Sequence, residues 1–324
     1  MAIKTYREAL NETLRTEMRR DPDVFIIGQD VGKFEGAYRV TQGLLEDFGA
    51  RRVKDAPISE TAIVGAGIGA AMLGLRPVVE FMTINFTLVA IDQIVNHAAK
   101  IRYMFGGQVS VPMVIRTPGG GGQQLTAQHS QNFEHWYAHV PGLKVVAPTT
   151  PADAMGLLRT AIRDNDPVFV LENLALYNTR GEVPDGDHTI PLGKADVKRE
   201  GSDLTIIAHS RMVNVSLMAA EKLAEDGIEA EVVDLRSLRP LDTETIVASV
   251  QKTNRAMTVE EGWPTFGVGG EIVALLMAEA FDDLDAPVLR VGGEEVPMPY
   301  SKPLERAAIP SVDKVIKTAM RVLE

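Results

Sequence analysis

Leu143-Lys144-Val145-Val146-Ala147-Pro148-Thr149-Thr150-Pro151-Ala152-Asp153 leads, after one helical stretch, to Asp166-Pro167-Val168-Phe169-Val170-Leu171. The apolar run at 143–146 reads as a short buried strand. Thr150-Pro151-Ala152-Asp153 is a helix start, with a hydroxyl cap, a proline in the first turn and an early carboxylate. Asp166-Pro167 must end that helix, because the residue before a proline is pushed out of the helical region. Val168 to Leu171 is then a second strand. Strand, helix and strand in one short span make the unit from which parallel α/β folds are built.

The same alternation continues in both directions. Val24-Phe25-Ile26-Ile27, Pro77-Val78-Val79-Glu80-Phe81 and Met113-Val114-Ile115-Arg116 are apolar runs of strand length. Leu88, Ile91, Ile94, Val95, Ala98 and Ile101 recur at helical spacing, which predicts one helix stopping at Gly106-Gly107. Asn178-Thr179-Arg180-Gly181-Glu182-Val183-Pro184-Asp185-Gly186-Asp187 is dense in turn formers and reads as an inter-domain linker. Beyond it, 204–208, 230–234, 256–259 and 288–291 read as strands, and 213–226, 243–250, 271–281 and 312–323 as helices. The predicted fold class is α/β, with two parallel-sheet domains over 1–185 and 186–324.

The chain has 324 residues, with 33 Lys+Arg against 44 Asp+Glu and a net charge of −11. That length suits two domains of ordinary size. The acidic balance argues against nucleic acid or anionic lipid as the main partner, since both repel a negative surface. Cysteine is absent, which excludes disulfides, thiolate metal sites and a cysteine nucleophile. The N-terminal residues lack the apolar run of a signal peptide, and no stretch of about 18 apolar residues occurs. The expected setting is cytoplasmic, with no membrane partner.

The segment Pro57-Ile58-Ser59-Glu60-Thr61-Ala62-Ile63-Val64-Gly65-Ala66-Gly67-Ile68-Gly69 is the most unusual chemically. Ser59 is placed to cap a helix starting at Glu60, whose body is nearly all Gly, Ala and aliphatic. Glycine inside a helix costs roughly 1 kcal/mol relative to alanine, so this spacing implies close approach by another element, chain or ligand. Glu60, the one carboxylate at the head of this element, suits proton transfer; equally, the helix dipole favours an acid there. Gly65-x-Gly67-x-x-Ala70 fits a dinucleotide fingerprint only if a strand runs directly into it, whereas these glycines fall inside the helix. Pro118-Gly119-Gly120-Gly121-Gly122 forms a loop leading to His129, an imidazole able to shuttle a proton, although an exposed connection would look the same. His135 and His139 are four apart without an evident third metal ligand. No nucleophile elbow, zincin motif or Walker loop is present, and nothing obviously holds a divalent cation with a diphosphate.

Several multi-residue blocks resemble one family. They are 55–60 (Asp-Ala-Pro-Ile-Ser-Glu), 80–86 (Glu-Phe-Met-Thr-Ile-Asn-Phe), 127–131 (Ala-Gln-His-Ser-Gln), 141–146, 161–167 and 296–300 (Val-Pro-Met-Pro-Tyr). In order and spanning almost the whole chain, they resemble the beta subunits of thiamine-diphosphate-dependent 2-oxo acid dehydrogenases, most closely those acting on pyruvate. The resemblance implies a transketolase-like pyrimidine-binding domain followed by a transketolase C-terminal domain. It also implies an alpha2beta2 heterotetramer with the cofactor between alpha and beta chains, magnesium held mainly by the alpha subunit, and work with a lipoylated dihydrolipoamide acyltransferase core.

Residue by residue, the resemblance gives Glu60 the hydrogen bond to the aminopyrimidine ring and Met82 and Phe86 the pyrimidine pocket. It gives His129 proton transfer as the acyl group passes to a lipoyl group, and Met113, Ala161, Ile162, Asp164 and Asp166 a possible structural potassium site. One departure stands out. Where the family usually reads Gly-Glu-Asp or Gly-Glu-Glu, this chain has Gly28-Gln29-Asp30, and a glutamine keeps the hydrogen-bond geometry but cannot ionise. Acetoin and branched-chain 2-oxo acid dehydrogenase beta subunits share these motifs. Readings from other classes are a nucleotide-dependent oxidoreductase using the Gly65 region and a non-catalytic scaffold. Asp282-Asp283-Leu284-Asp285 is an acidic candidate for docking a basic domain, or simply a solvated helix end.

Overall fold

The computed structural model describes residues 1–324. The chain divides into two compact units, residues 1–119 with 136–192, and residues 120–135 with 193–324. The division near the end of the first unit thus falls at 192/193, where a boundary at 185/186 was expected. The physical reason lies in α6 (Pro151–Arg163), onto which the chain after 185 folds back. Arg159 donates to the carbonyls of Gly186 and His188, and Ile190 N–H donates to Gly156 O at 3.3 Å. The glycine at 156 has no room for a side chain, since a Cβ there would stand 2.7 Å from Ile190.

The first unit holds eight strands: β1 (Ala2–Thr5), β2 (Val24–Gly28), β3 (Val53–Asp55), β4 (Arg76–Glu80), β5 (Val114–Gly119), β6 (Lys144–Val146), β7 (Val168–Asn173) and β8 (Arg180–Val183). Six of them form a parallel sheet in the order β6-β7-β5-β4-β2-β3. Their helices are α1 (Tyr6–Arg20), α2 (Leu44–Phe48), α3 (Glu60–Met72), α4 (Ile101–Met104) and α6, with α5 (Glu134–Ala138) at the junction of the two chain segments. Buried parallel strands are covered on both faces and read as unbroken apolar runs, which is why the strands from 24 to 171 match the sequence reading. The Thr150 start also holds, as a full capping box in which Thr150 and Asp153 satisfy each other's backbone N–H groups.

Three local expectations fail. The linker over 178–187 contains β8, which pairs antiparallel with β1 from Ala2↔Val183 to Thr5↔Arg180. Both strands lie at the surface and lack an apolar run, so neither shows the usual pattern. The predicted helix over 88–101 is broken into a 3₁₀ turn (Ile84–Ala90), a π turn (Gln93–Ala98) and α4. In the first of these the Thr87 hydroxyl donates to Ile84 O at 2.5 Å, competing for the carbonyls a regular helix would use. Finally, α3 does begin at Glu60, but the Ser59 side chain makes no capping hydrogen bond.

The second unit carries β9 (Asp196–Arg199), β10 (Leu204–Ala208), β11 (Ala230–Asp234), β12 (Ser237–Arg239), β13 (Ala256–Val259) and β14 (Leu289–Val291). Its five-stranded sheet runs β14-β13-β10-β11-β9, the parallel-sheet α/β domain expected, with one antiparallel edge strand, β9, added. The helices are α7 (Arg211–Glu225), α8 (Thr243–Thr253), α9 (Val268–Glu279), α10 (Lys302–Ala308) and α11 (Val312–Leu323). Leu204, Ile206 and Ala208, alternate residues of β10, join Val213, Ala220 and Leu223 of α7 and Val315, Ala319 and Val322 of α11 in one core. The period of two in the strand meeting the period of 3.6 in the helices closes this layer.

Candidate functional site

In the first unit, β2, β3 and β4 are neighbours, and the segments carrying the predicted site residues leave their C-terminal ends. Open α/β sheets bind ligands at that edge. Gln29 follows Gly28, where a Cβ would stand 2.7 Å from Glu80 O, so only glycine lets the end of β2 lie this close to β4. The Asp55 carboxylate at the end of β3 accepts the N–H groups of Gly32 and Lys33 at 2.6 and 3.0 Å, tying down the loop after Gln29. Glu60 opens α3 and is buried. Gln29 Nε2 donates to Glu60 Oε1 at 2.9 Å, and Oε2 accepts nothing within the chain. Met82 and Phe86, both half-buried, follow β4.

The helix glycines have separate explanations. A Cβ at Gly67 would lie 2.9 Å from Val79 Cγ2, so close packing of α3 on β4 requires glycine, whereas Gly69 faces open space. Gly65 and Gly67 lie inside α3, not at the end of a strand, so the dinucleotide fingerprint has no structural context here.

Sequence reasoning missed a buried cluster at the same sheet edge. Arg116 is 1 % exposed; its Nε and Nη2 donate to Glu172 Oε1 and Oε2 at 2.8 and 2.6 Å, and its Nη1 donates to Glu80. Tyr177 OH donates to Glu172 Oε2 at 2.5 Å. Burial pulls the guanidinium down, but Glu172 and Glu80 outweigh it and hold Arg116 well above its ordinary value. Burial raises Glu80 above the usual carboxylate range against the pull of Arg116, and burial together with the Glu172 charge pushes Tyr177 well up. The available signal was a charge ending each of three apolar runs, with Glu80 in register with Arg116.

The residues expected at a potassium site divide their contacts. The Ile162 and Asp164 carbonyls accept from Arg76 Nη1 at 3.1 and 2.9 Å, and Met113 O accepts Val168 N–H at 3.0 Å. Ala161 O accepts Asp164 N–H at 3.3 Å, and Asp164 and Asp166 pair with Lys144 at 2.7 and 3.1 Å. His139 lies just past α5, and no group of three or more His, Asp or Glu converges to hold a metal.

His129 belongs to the second unit, half-buried, with its backbone N–H donating to Thr126 O at 3.2 Å. A second unpredicted cluster lies in this unit. Glu134 Oε1 meets His209 Nε2 at 3.1 Å, and Glu260 caps α9 by accepting the N–H groups of Val268 and Gly269 at 2.9 and 3.0 Å. Burial works against charge on both members of the pair, yet their mutual hydrogen bond holds His209 above and Glu134 below the ordinary values. Burial pushes Glu260 up to about 7. Asp283 accepts from Gln251 and Asn254, and Asp285 lies 3.7 Å from Arg255, so the acidic tetrad is only partly free for docking.

Residues 3–179 match the family described as the transketolase pyrimidine binding domain, and residues 193–315 match the transketolase C-terminal domain. The chain is 53% identical over 321 residues to a mitochondrial pyruvate dehydrogenase E1 component subunit beta-2 of Oryza sativa subsp. japonica, covering 98% of this chain and 85% of the relative. It is 52% identical to the pyruvate dehydrogenase E1 component subunit beta of Rickettsia felis, covering 98% of each, and 51% identical to the mitochondrial subunit of Bos taurus, covering 98% and 90%. A solved structure titled split gene transketolase, inactive beta4 tetramer, shares the fold, with a TM-score of 0.82, 23% identity and coverage of 98% and 97%.

Proposed function

This chain belongs to the family of pyruvate dehydrogenase E1 component beta subunits, and we propose that it acts with an alpha subunit to decarboxylate pyruvate oxidatively and pass the acyl group to a lipoyl group. The observation that carries this reading is Glu60: buried at the sheet edge, one oxygen held by Gln29, the other left open. That donor set fits the aminopyrimidine of thiamine diphosphate, which when bound supplies the electron sink for decarboxylation of a 2-oxo acid.

Glu60 Oε2 would share a proton with the pyrimidine ring nitrogen, while Gln29 fixes the carboxyl plane without competing for the proton. Met82 and Phe86 would supply the apolar wall and ring face of the pocket. His129 would hold the proton exchanged as the acyl group leaves for the lipoyl sulfur. We assign magnesium and the diphosphate mainly to the alpha subunit. A structural potassium ion is proposed on the carbonyls of Met113, Ala161, Ile162, Asp164 and Asp166; those facing Arg76 each keep a second lone pair. An alpha2beta2 tetramer, a dihydrolipoamide acyltransferase core and a cytoplasmic setting complete the reading. No helix is long and apolar enough to cross a membrane, while the rice and bovine relatives are mitochondrial by name.

The test is reconstitution with an alpha chain and thiamine diphosphate, comparing pyruvate, acetoin and a branched-chain 2-oxo acid as substrates. Pyruvate-selective turnover that Glu60→Gln abolishes is expected. Activity near wild type in that variant would sink the role given to Glu60, and selectivity for another substrate would replace pyruvate. Melting temperatures in potassium and lithium salts check the cation: equal values rule it out.

A further inference from the structure

The segment 120–133 contains no helix or strand, yet side chains from much later in the chain fasten it. Glu305 on α10 is 2 % exposed. Its Oε1 alone accepts the backbone N–H groups of Gly122 and Gln124, both at 2.9 Å. A buried carboxylate without a counter-cation is costly unless such donors are fixed in place. Glu261 Oε1 accepts Gly121 N–H at 2.7 Å, and Arg211 Nη1 donates to Gly121 O at 3.2 Å. At the other end, Glu134 is held by His209.

The backbone between these anchors takes conformations that need support. Gly122 has φ +95°, and two non-glycine residues, Gln124 and Thr126, have φ 57° and 66°. At Gly121 a Cβ would stand 2.8 Å from Met298 Cε and 3.0 Å from Ile309 Cδ1, so the chain lies directly on the core of this unit. His129 sits between the two anchored ends.

We propose that Glu305 is a positioning residue: with Glu261 and Arg211 it sets the backbone of the loop carrying His129, and so the orientation of that imidazole for acyl transfer. The inference rests on the role proposed above for His129. Catalytic groups need support of this kind because displacements near 1 Å are costly in rate.

The test uses the reconstituted holoenzyme and a lipoyl domain, with Glu305→Leu, Glu305→Gln, His129→Ala and the Glu305→Leu/His129→Ala double variant. Glu305→Leu is expected to slow lipoyl acylation by about tenfold, leaving the pyruvate KM and dye-linked decarboxylation within about twofold. Glu305→Gln, whose amide oxygen can take the same two donors, should retain most of the rate. In the His129→Ala background, Glu305→Leu should cost nothing more. Equal losses in both backgrounds, or a loss confined to KM, would overturn the proposal. If Glu305→Leu does not fold, Arg211→Leu should show a smaller loss with the same non-additivity, and an additive loss counts against it. Hydrogen exchange of the full chain is read separately from turnover. The Gly122 and Gln124 amides should lose protection in the variant, and unchanged exchange refutes the clamp even where the wild-type enzyme fails to use pyruvate.

Discussion

The two units each bury a pair of carboxylates around one basic side chain, and the two clusters behave oppositely. In the first unit the base is Arg116, clasped by Glu80 and Glu172, with Tyr177 closing the set. The guanidinium stays charged at any pH the fold survives, so the cluster is a fixed piece of the sheet edge. In the second unit the base is His209, hydrogen-bonded to Glu134 and within electrostatic reach of Glu260, and burial brings Glu260 up to about 7. That set changes charge near neutral pH. Arg116 keeps the first set charged, as a rivet, whereas in the second set burial, against the pull of His209, brings Glu260 into the neutral range.

The largest effect expected is from Arg116→Met, which strands two carboxylates in a dry site and should destabilise the first unit by about 3–5 kcal/mol in thermal or denaturant unfolding. A loss below about 1 kcal/mol would mean the cluster is not a rivet. The pH dependence of stability comes next. Glu260 is raised from 4.5 to about 7, so between those values the folded state keeps a proton that the unfolded chain has released. Stability therefore falls as pH rises through that window, by on the order of 3 kcal/mol at most. His209, raised above 6.5, acts in the same direction: its contribution is complete below 6.5 and is lost as pH climbs through the raised value. Glu134, held below 4.5, contributes above that value and loses its contribution only in stronger acid. Melting of the second unit should shift downward from pH 5 to 8. Glu260→Gln should flatten the portion between 4.5 and 7, and a slope unchanged in that variant removes the titrating role. The smallest effect expected is from Tyr177→Phe, about 1–2 kcal/mol, because Arg116 still satisfies Glu172; a loss matching Arg116→Met would show the hydroxyl to be an equal member.

Legibility followed burial. Strands such as 168–171 and the helix behind Thr150-Pro151 are local patterns that the fold merely completes. The elements left unread depend on distant partners. β1 and β8 are short surface strands that make sense only as a pair, whereas α1 is an exception, with a local capping box of Thr5 and Glu8 at its start. For the candidate site, Glu60 stood out as the lone acid heading a glycine-rich helix, Gln29, Met82 and Phe86 came as expectations from the resemblance, and the structure joins Glu60 and Gln29 by a hydrogen bond. Arg116 with its acids and Glu305 with its loop escaped notice because their partners lie 36 to 183 positions away. A lone charge in an apolar run does not reveal what it will meet.

The β1–β8 ladder has a mechanical consequence. Ala2 lies opposite Val183, so the point where the chain enters this pair and the point where it leaves are at the same end of the ladder. A load applied between the N-terminus and the chain beyond 183 would open the four residue pairs one after another, as a zipper, instead of loading them together in shear. The terminal ribbon is therefore a weak mechanical fuse, yielding at low force while the parallel sheet behind it stays intact.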